Sequence, residues 1–336
     1  IQDIFHVSSH DKILLFTNNG SVFVLNAYDI PIIGRTANGS HLAQFIQIKE
    51  KDKVVDIAVI KKGEFPPNKY IIFATANGQI KKTSLEEFNN IRSTGIKAIT
   101  LQEDDSLVCA RLCENKCHIA LASNSGMVAH FEVNEESIRT LSRSAQGVRG
   151  IRLSEDDMVV DMVVTDPIND ENQLSEYRLL TVSKKGYGKI TSLSEYRLTN
   201  RAVSGVRTMK ITEKDDGVVS LKLINNQDII IISDKGNSIR ISSDNVRKIG
   251  RNTKGIRLIK LEEGDNVSSI ELCEPKTKEE FCPEKSENVP EKQLNIEATK
   301  DSTGKTDSES ENTDEMEELT EEDFADIDEE ISNKDE

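Results

Sequence analysis

The chain has little of what several protein classes require. Its 336 residues include no Trp, five Cys and seven Pro, and aromatic residues make up 4% of the sequence. So few cysteines argue against a small secreted domain held together by disulfides. No apolar run reaches the roughly 18 residues of a membrane span, and no basic segment followed by an apolar one forms a signal sequence. The sequence therefore predicts a protein that folds around its own core.

Motifs for nucleotide, metal or nucleophilic chemistry are also missing. No Gly-x-x-x-x-Gly-Lys-Ser/Thr segment occurs, so we expect no ATP site in this chain. Cys109, Cys113 and Cys117 are spaced four apart and precede His118, but no second ligand pair lies at zinc-site spacing. We interpret these cysteines as small buried side chains. The sequence predicts no catalytic residue, no metal site and no cofactor here.

Charge is segregated along the chain. The net charge of −16 divides into +1 over residues 1–273 and −17 over residues 274–336. The second segment is rich in Glu, Asp, Ser and Thr and poor in large apolar residues, so it cannot bury enough surface to offset its ordering entropy. We expect two parts, a folded body at 1–273 and a disordered acidic tail at 274–336.

The body repeats a β unit five times. Each unit begins with an apolar run such as Tyr70-Ile-Ile-Phe-Ala-Thr, followed by a turn such as Ala76-Asn77-Gly78. Asn-Gly is a strong hairpin signal, since type I′ turns need positive φ. The turn glycines recur in each unit, at Gly20, Gly78, Gly126, Gly186 and Gly236. A strand repeat of this length predicts a propeller-like array of blades.

We predict four strands in each unit. The hairpin supplies two, an acidic corner precedes the fourth, and the third is a short apolar segment at 45–48, 98–101, 150–153, 208–211 or 258–261. Residues 4–9 look like a fourth strand with no unit before it. This phase predicts a sixth blade, the first, lying largely upstream of Ile1.

Basic residues recur in the connection between the second and third strands. Four connections share Arg-x-x-x-Gly, beginning at Arg35, Arg143, Arg201 and Arg251, and Arg92 is shifted by one residue. Small residues beside an Arg suit close backbone approach to phosphates, which the guanidinium binds with two nitrogens. We therefore predict a ring of positive charge that binds duplex DNA. Its predicted contacts are Arg35, Lys81, Lys82, Arg92, Arg143, Arg149, Lys189, Arg201, Arg207, Arg240, Arg251, Lys254 and Arg257.

Two other interpretations of these charges stay open. They could be solvated turn residues or form salt bridges to the acidic corners of neighbouring units. A propeller with such a ring could also be an interaction module that binds acidic protein segments, its own tail included. As a DNA mimic, the tail could compete with phosphates.

Several segments carry a family resemblance. Lys12-Ile-Leu-Leu-Phe-Thr-Asn-Asn-Gly, Thr199-Asn-Arg-Ala-Val-Ser-Gly205 and Gly250-Arg-Asn-Thr-Lys-Gly-Ile resemble the C-terminal domain of the bacterial DNA gyrase A subunit. The resemblance covers about residues 1–273, repeat by repeat. It implies an all-β, six-bladed β-pinwheel, whose blades exchange strands, with DNA wrapped around the basic outer edge.

The resemblance also implies a setting. The chain would belong to a cytoplasmic, nucleoid-associated type II topoisomerase that introduces negative supercoils, with gyrase B subunits and the gyrase A core as partners. ATP and Mg would bind the partner subunit, whereas the cleaving tyrosine, preceded by Arg, would lie in the core. None of the five tyrosines here follows Arg. The Gln-Arg-Arg-Gly-Gly-Lys/Arg-Gly box of gyrase is absent from this sequence, and the family places it in the first blade. The A-type subunit of topoisomerase IV therefore stays an alternative.

Overall fold

A computed structural model describes residues 5–34, 37–213 and 216–275, and these residues form five β-sheets, one for each repeat. The propeller-like architecture predicted from the repeat is confirmed. The expected count of six blades is wrong for the described residues, because each of the five turn motifs closes one hairpin there. The predicted disorder of the tail concerns residues that lie outside the described part, apart from Glu274 and Pro275.

Most strands are five to nine residues long, and four have only two. In chain order they are β1 (Lys12–Thr17), β2 (Ser21–Asn26), β3 (Val54–Ile60), β4 (Tyr70–Thr75), β5 (Gln79–Ser84), β6 (Ile96–Lys97), β7 (Leu107–Cys113), β8 (Cys117–Ser123), β9 (Met127–Glu132), β10 (Val148–Arg149), β11 (Val159–Pro167), β12 (Arg178–Ser183), β13 (Tyr187–Ser192), β14 (Val206–Arg207), β15 (Val218–Ile224), β16 (Asp228–Ser233), β17 (Ser238–Ser242), β18 (Ile256–Arg257) and β19 (Val267–Cys273).

Helical structure in the described residues is limited to single turns of 3₁₀ helix. These turns are Ala27–Asp29, Leu42–Gln44, Lys61–Gly63, Leu85–Phe88, Glu171–Ser175, Leu193–Glu195 and Ser243–Asn245. None of them has the length or the apolar character of a membrane span.

Neighbouring blades exchange a strand. The sheets are ordered β3-β1-β2-β6, β7-β4-β5-β10, β11-β8-β9-β14, β15-β12-β13-β18 and β19-β16-β17. The third strand of each of the last four units therefore pairs with the second strand of the preceding blade, as Lys97 does with Ser21 and Ile96 with Val22. This is the exchange that the family resemblance implied.

The exchanged strands are shorter than predicted and lie just before the apolar segments. Residues 98–101 follow β6 and are not in a strand; Ala98 and Ile99 are buried, and their N–H groups donate to Gly20 O. Their apolar character reflects packing on the preceding blade and not ladder pairing. The strands predicted at 45–48 and over 5–9 are also wrong, since neither segment pairs with another strand. Ile4 lies outside the described residues.

The apolar cores lie between adjacent blades. Along β4, Ile71 and Phe73 pack toward the first blade, whereas Ile72 and Ala74 pack toward the third. A strand buried on both faces needs a continuous apolar run, unlike the alternation of a half-exposed strand. This explains why the first strand of each unit is apolar throughout.

The acidic corners have a structural role. Asp157 Oδ1 accepts hydrogen bonds from the N–H groups of Ser125 and Met158, each with an N···O distance of 2.9 Å. Ser125 lies in the hairpin turn and Met158 precedes the fourth strand, so this carboxylate joins the two. The equivalent aspartates of three other units make the same pair of bonds; they are Asp105, Asp216 and Asp265.

Fourth strands of successive blades contact one another and line a central cavity of about 370 Å³. Two buried aspartates bridge blades there: Asp56 Oδ2 accepts from Ala110 N at 2.8 Å, and Asp161 Oδ2 accepts from Leu221 N at 3.0 Å. Burial raises the pKa of Asp56 to about 6, although the Arg111 guanidinium beside it opposes that shift. Since the fourth strands meet at the centre, the exchanged third strands lie at the outer edge.

Candidate nucleic-acid interface

The outer edge carries a repeated set of basic side chains. The second residue of each exchanged strand is basic and exposed, and the loops before β10, β14 and β18 each supply an arginine that is half-buried. We call this set the basic rim. Its members are Lys97, Arg149, Arg207 and Arg257 on the strands and Arg143, Arg201 and Arg251 in the loops.

Each loop arginine is hydrogen-bonded to the exchanged strand of the unit before it. Arg143 Nη1 donates to Lys97 O at 3.5 Å. In the matching bonds, Arg201 Nη1 donates to Arg149 O and Arg251 Nη1 donates to Arg207 O, each at 3.3 Å. Every loop guanidinium is thereby held at the backbone of another basic residue. The rim is a connected row of positive charge, with a loop member and a strand member alternating.

The loop glycines of two units pack closely against the neighbouring blade. Gly205 has φ of +78°, and a Cβ on it would lie 2.4 Å from Val128 O of the preceding blade. Gly147 is similar: its φ is +99°, and a Cβ added to Gly147 would lie 2.5 Å from Ile80 O. Gly147 and Gly205 are thus required by close contact with the second strand of the neighbouring blade, which brings each loop onto the edge of the sheet.

Three predicted contacts are not on the surface. The side chains of Lys81, Lys82 and Lys189 are fully buried, so the expectation that they touch DNA is wrong. All three lie on second strands, between two blades, where they are covered by the connection of the next unit. Lys82 Nζ bonds Glu135 Oε1 at 2.6 Å and Asn115 Oδ1 at 3.2 Å.

The other predicted contacts lie in varied surroundings. Arg92 is exposed in the loop before β6. Arg240, on β17, pairs with Asp228 at 2.8 Å. Lys254 pairs with Glu213 at 2.8 Å. Arg35 lies outside the described residues.

Ion pairs partly neutralise the positive charge at and beside the rim. Lys254 meets Glu213 in an acidic corner, as the salt-bridge interpretation expected, whereas Arg143 Nε lies 3.5 Å from Glu87 in a 3₁₀ turn. The side chains of the second pair are each more than a third exposed, and such pairs contribute little to stability. The Arg143 guanidinium therefore stays available to a stronger polyanion.

Lys97 belongs to the basic rim although it was not among the predicted DNA contacts. Its signal was positional, because it stands at the same place in its exchanged strand as Arg149 does. The aromatic side chain of Tyr187 contacts the basic rim: its hydroxyl accepts a hydrogen bond from Arg257 Nη2 at 2.9 Å, and the centre of its ring lies 3.9 Å from Lys254 Nζ. That hydrogen bond lowers the pKa of the Tyr187 hydroxyl.

The cysteine interpretation is confirmed, since Cys109, Cys113 and Cys117 are buried as free thiols.

The fold and the rim together define a strand-exchanged β-propeller with a basic outer edge. The sequence model of the family described as "DNA gyrase C-terminal domain, beta-propeller" matches residues 11–61, 69–114, 118–166, 177–225 and 227–274, which are the five repeats one by one. The chain belongs to this family.

Curated relatives agree with that assignment. The chain is 35% identical over 271 residues to the DNA gyrase A subunit of Mycolicibacterium smegmatis, a match of 80% of this chain and 31% of the relative. It is 33% identical over 283 residues to the DNA gyrase A subunit of Salmonella typhimurium, covering 84% of this chain and 31% of that one. The chain thus spans about a third of the length of these relatives.

Solved structures are similar in fold. The C-terminal domain of DNA topoisomerase IV aligns with a TM-score of 0.69 at 24% identity, over 79% of this chain and 80% of that chain. A DNA gyrase A C-terminal domain aligns with a TM-score of 0.66 at 23% identity, over 79% and 83%. At these identities the likeness concerns the fold alone.

Proposed function

We propose that this chain binds and bends duplex DNA along the basic rim, without sequence preference, as the DNA-wrapping part of a gyrase A subunit. The observation that carries the proposal is the row of guanidiniums at matching positions of successive blades. Phosphates are regularly spaced acceptors that carry no sequence information, and a periodic row of bidentate donors is suited to them.

The repeated basic positions supply the several phosphate contacts that bending a duplex requires. Curving a duplex of 20–30 base pairs by 40–90° costs roughly 1–6 kcal/mol, which several phosphate contacts must offset. A rim that offers arginines from three successive loops and basic residues from four exchanged strands provides such contacts along a curved path. Each contact releases condensed counterions, so the affinity should fall steeply with salt.

The wider setting is part of the same proposal. The chain acts in the cytoplasm within an ATP-dependent type II topoisomerase, with gyrase B subunits and a gyrase A core supplying ATP hydrolysis and strand cleavage. Wrapping by the rim delivers DNA to that core and sets the direction of supercoiling.

The test removes exposed rim charge and keeps the backbone carbonyls of the exchanged strands to which the loop arginines donate. We expect Arg149→Gln, Arg207→Gln and Arg257→Gln, combined in the full chain, to weaken binding to a duplex of about 40 base pairs at about 50 mM salt and to abolish bending measured by end-to-end energy transfer. The slope of log K against log salt should become shallower by about 0.9 for each phosphate that the variant no longer neutralises.

A control variant matches the charge change. Lys51→Gln, Lys61→Gln and Lys116→Gln remove three exposed charges from loops away from the exchanged strands. If the two triple variants weakened DNA binding equally, the binding would depend on net charge and not on the position of the rim residues, which would contradict the proposal. Binding without any bending would instead favour an interaction module for acidic segments.

A further inference from the structure

Two buried ammonium groups lie beneath the loops of the basic rim. Lys81 Nζ, on β5, donates to Ala98 O at 2.5 Å, Arg143 O at 2.7 Å and Ser142 O at 3.2 Å. The last two acceptors belong to the Arg-x-x-x-Gly loop of the next unit. The Lys81 side chain is fully buried, and these three acceptors are all backbone carbonyl oxygens.

Lys189 repeats this arrangement two blades later. On β13, its Nζ donates to Gly250 O at 2.7 Å, to Arg251 O, and to Thr253 through the carbonyl oxygen at 3.2 Å and the hydroxyl at 3.1 Å. Both lysines are the third residue after their hairpin glycine, Gly78 and Gly186. The same position in two units therefore anchors the same loop of the following unit.

The chemistry of the ammonium group fits this role. An ammonium carries three N–H donors and no acceptor, so it can satisfy three carbonyl oxygens that converge on one point. A buried carbonyl left without a donor costs free energy. An apolar side chain at either position would remove these donors and release the loop.

We propose that Lys81 and Lys189 are positioning residues of the DNA interface: each holds the loop backbone so that Arg143 or Arg251 reaches the exchanged strand and the basic rim is continuous. The inference rests on the proposed function, but the anchoring of the loops can be measured without DNA. Neither lysine touches DNA in this arrangement.

The third loop offers a comparison within the molecule. Ala129 stands where the lysines stand, and the loop is held differently, by Arg201 Nε donating to Ser137 O at 2.7 Å. Thr199 N also donates to His130 O at 2.9 Å. Two loops are thus anchored by a buried lysine and one by its own arginine, so loss of the lysines should leave the 199–205 loop unchanged.

Each of the two amines has one acidic and one basic neighbour, and these neighbours shift the pKa of the amine in opposite directions. Glu87 and Arg143 face Lys81, and Glu195 and Arg251 face Lys189. Burial lowers the pKa of Lys81 to about 7 and that of Lys189 to about 8. A neutral amine has only two donors, so each amine makes fewer hydrogen bonds to its loop as pH rises through these values.

The experiment replaces both ammonium groups in the full chain by Lys81→Met and Lys189→Met. Amide hydrogen exchange without DNA should become at least about tenfold faster at residues 142–147 and 250–255, as expected for lost charge-assisted hydrogen bonds. Exchange at 199–205 and in the core strands should not change. DNA affinity at fixed salt should fall by about tenfold or more, and its decline between pH 7 and pH 9 should be weaker than in the parent chain.

Lys82→Met is the matched control. It also removes a fully buried ammonium from β5, but this group bonds the side chains of Glu135 and Asn115 and not the loop carbonyls. We expect it to leave exchange at 142–147 and DNA affinity within about twofold of the parent, since the loop bonds remain.

The outcomes separate the two proposals. Unchanged loop exchange in the double variant would overturn the anchoring role, and faster exchange with unchanged affinity would overturn the positioning role. If the parent chain did not bind DNA, the proposed function would fail while the exchange result still reported the anchoring. Should the double variant fail to fold, Lys189→Met alone must loosen 250–255 and spare 142–147.

Discussion

Residues of one charge have two fates in this protein. The sequence shows Lys and Arg in the same repeats, yet the arginines of the loops reach the surface while Lys81 and Lys189 lie inside. The physical reason lies in the donors: a guanidinium offers a planar fork to solvent or phosphate, and an ammonium is compact enough to serve as a point of convergence for carbonyls. The sequence shows which positions are basic, but it does not show which of these side chains point inward and which point outward.

His130 provides a prediction at this scale. Its Nδ1 bonds Tyr196 O at 2.7 Å, and its Nε2 lies 3.0 Å from His118 Nδ1. Because a carbonyl only accepts, His130 donates from Nδ1 and accepts from His118. Burial lowers the pKa of His130 to about 4 in the folded state, below the value of about 6.5 expected when unfolded. The unfolded state therefore binds more protons between these values, and stability should fall as pH drops from 6.5 toward 4.

We expect the free energy of unfolding to decrease in this window by about 1.4 kcal/mol per pH unit more in the parent than in His130→Gln. Urea unfolding at pH 7, 6 and 5 measures the difference. Subtracting the variant removes most of the opposing contribution of Asp56, whose raised pKa favours the folded state on acidification. Parallel pH curves for the two proteins would contradict the assignment.

At the scale of the element, hairpins and exchanged strands differ in how far the sequence predicts them. The hairpins carry local signals, an apolar run and a turn with Asn-Gly or a related pair, and all five occur where predicted. The exchanged strands have two residues and pair with another unit, so nothing local marks them. A repeat identifies equivalent positions, but only long-range contacts decide which sheet a strand joins.

Gly205→Ala tests the contact that seats an exchanged strand. Positive φ and a Cβ position 2.4 Å from Val128 O should destabilise the domain by about 2 kcal/mol or more, combining backbone strain with a steric clash. Thermal or urea unfolding gives the change. Gly39→Ala, at the same place in the first unit, has no atom within 4 Å of its Cβ position and should be nearly neutral. A similar loss in both variants would argue against the strand-seating role.

At the scale of the whole molecule, the distribution of charge matters more than its sum. A net charge of −16 would disfavour DNA binding if it were spread evenly, but residues 1–273 carry +1 and the segment 274–336 carries −17. Within the near-neutral body, the fold places basic residues of successive units along one edge. The same composition in another fold would give scattered charges.

Deletion of residues 275–336 should tighten DNA binding. If the acidic segment competes with phosphates for the rim, the gain should be several-fold at about 50 mM salt and should shrink by about 200 mM salt, where screening is stronger. Fluorescence anisotropy with labelled duplex measures both. A chain with the segment scrambled should behave like the parent, because the competition depends on charge. Equal affinities with and without the segment would remove the idea.

The repeat, the hairpins, the all-β class and the segregation of charge follow from the order of residues, because these features depend on near neighbours and on composition. Packing of the blades was needed to show that third strands join the preceding blade and that the corner aspartates close hairpin turns. It also placed Lys81, Lys82 and Lys189 inside while Lys97 faces out. These features depend on which distant backbone groups meet. A carbonyl needing a donor, or a glycine needing close contact, is visible only once two blades are packed together.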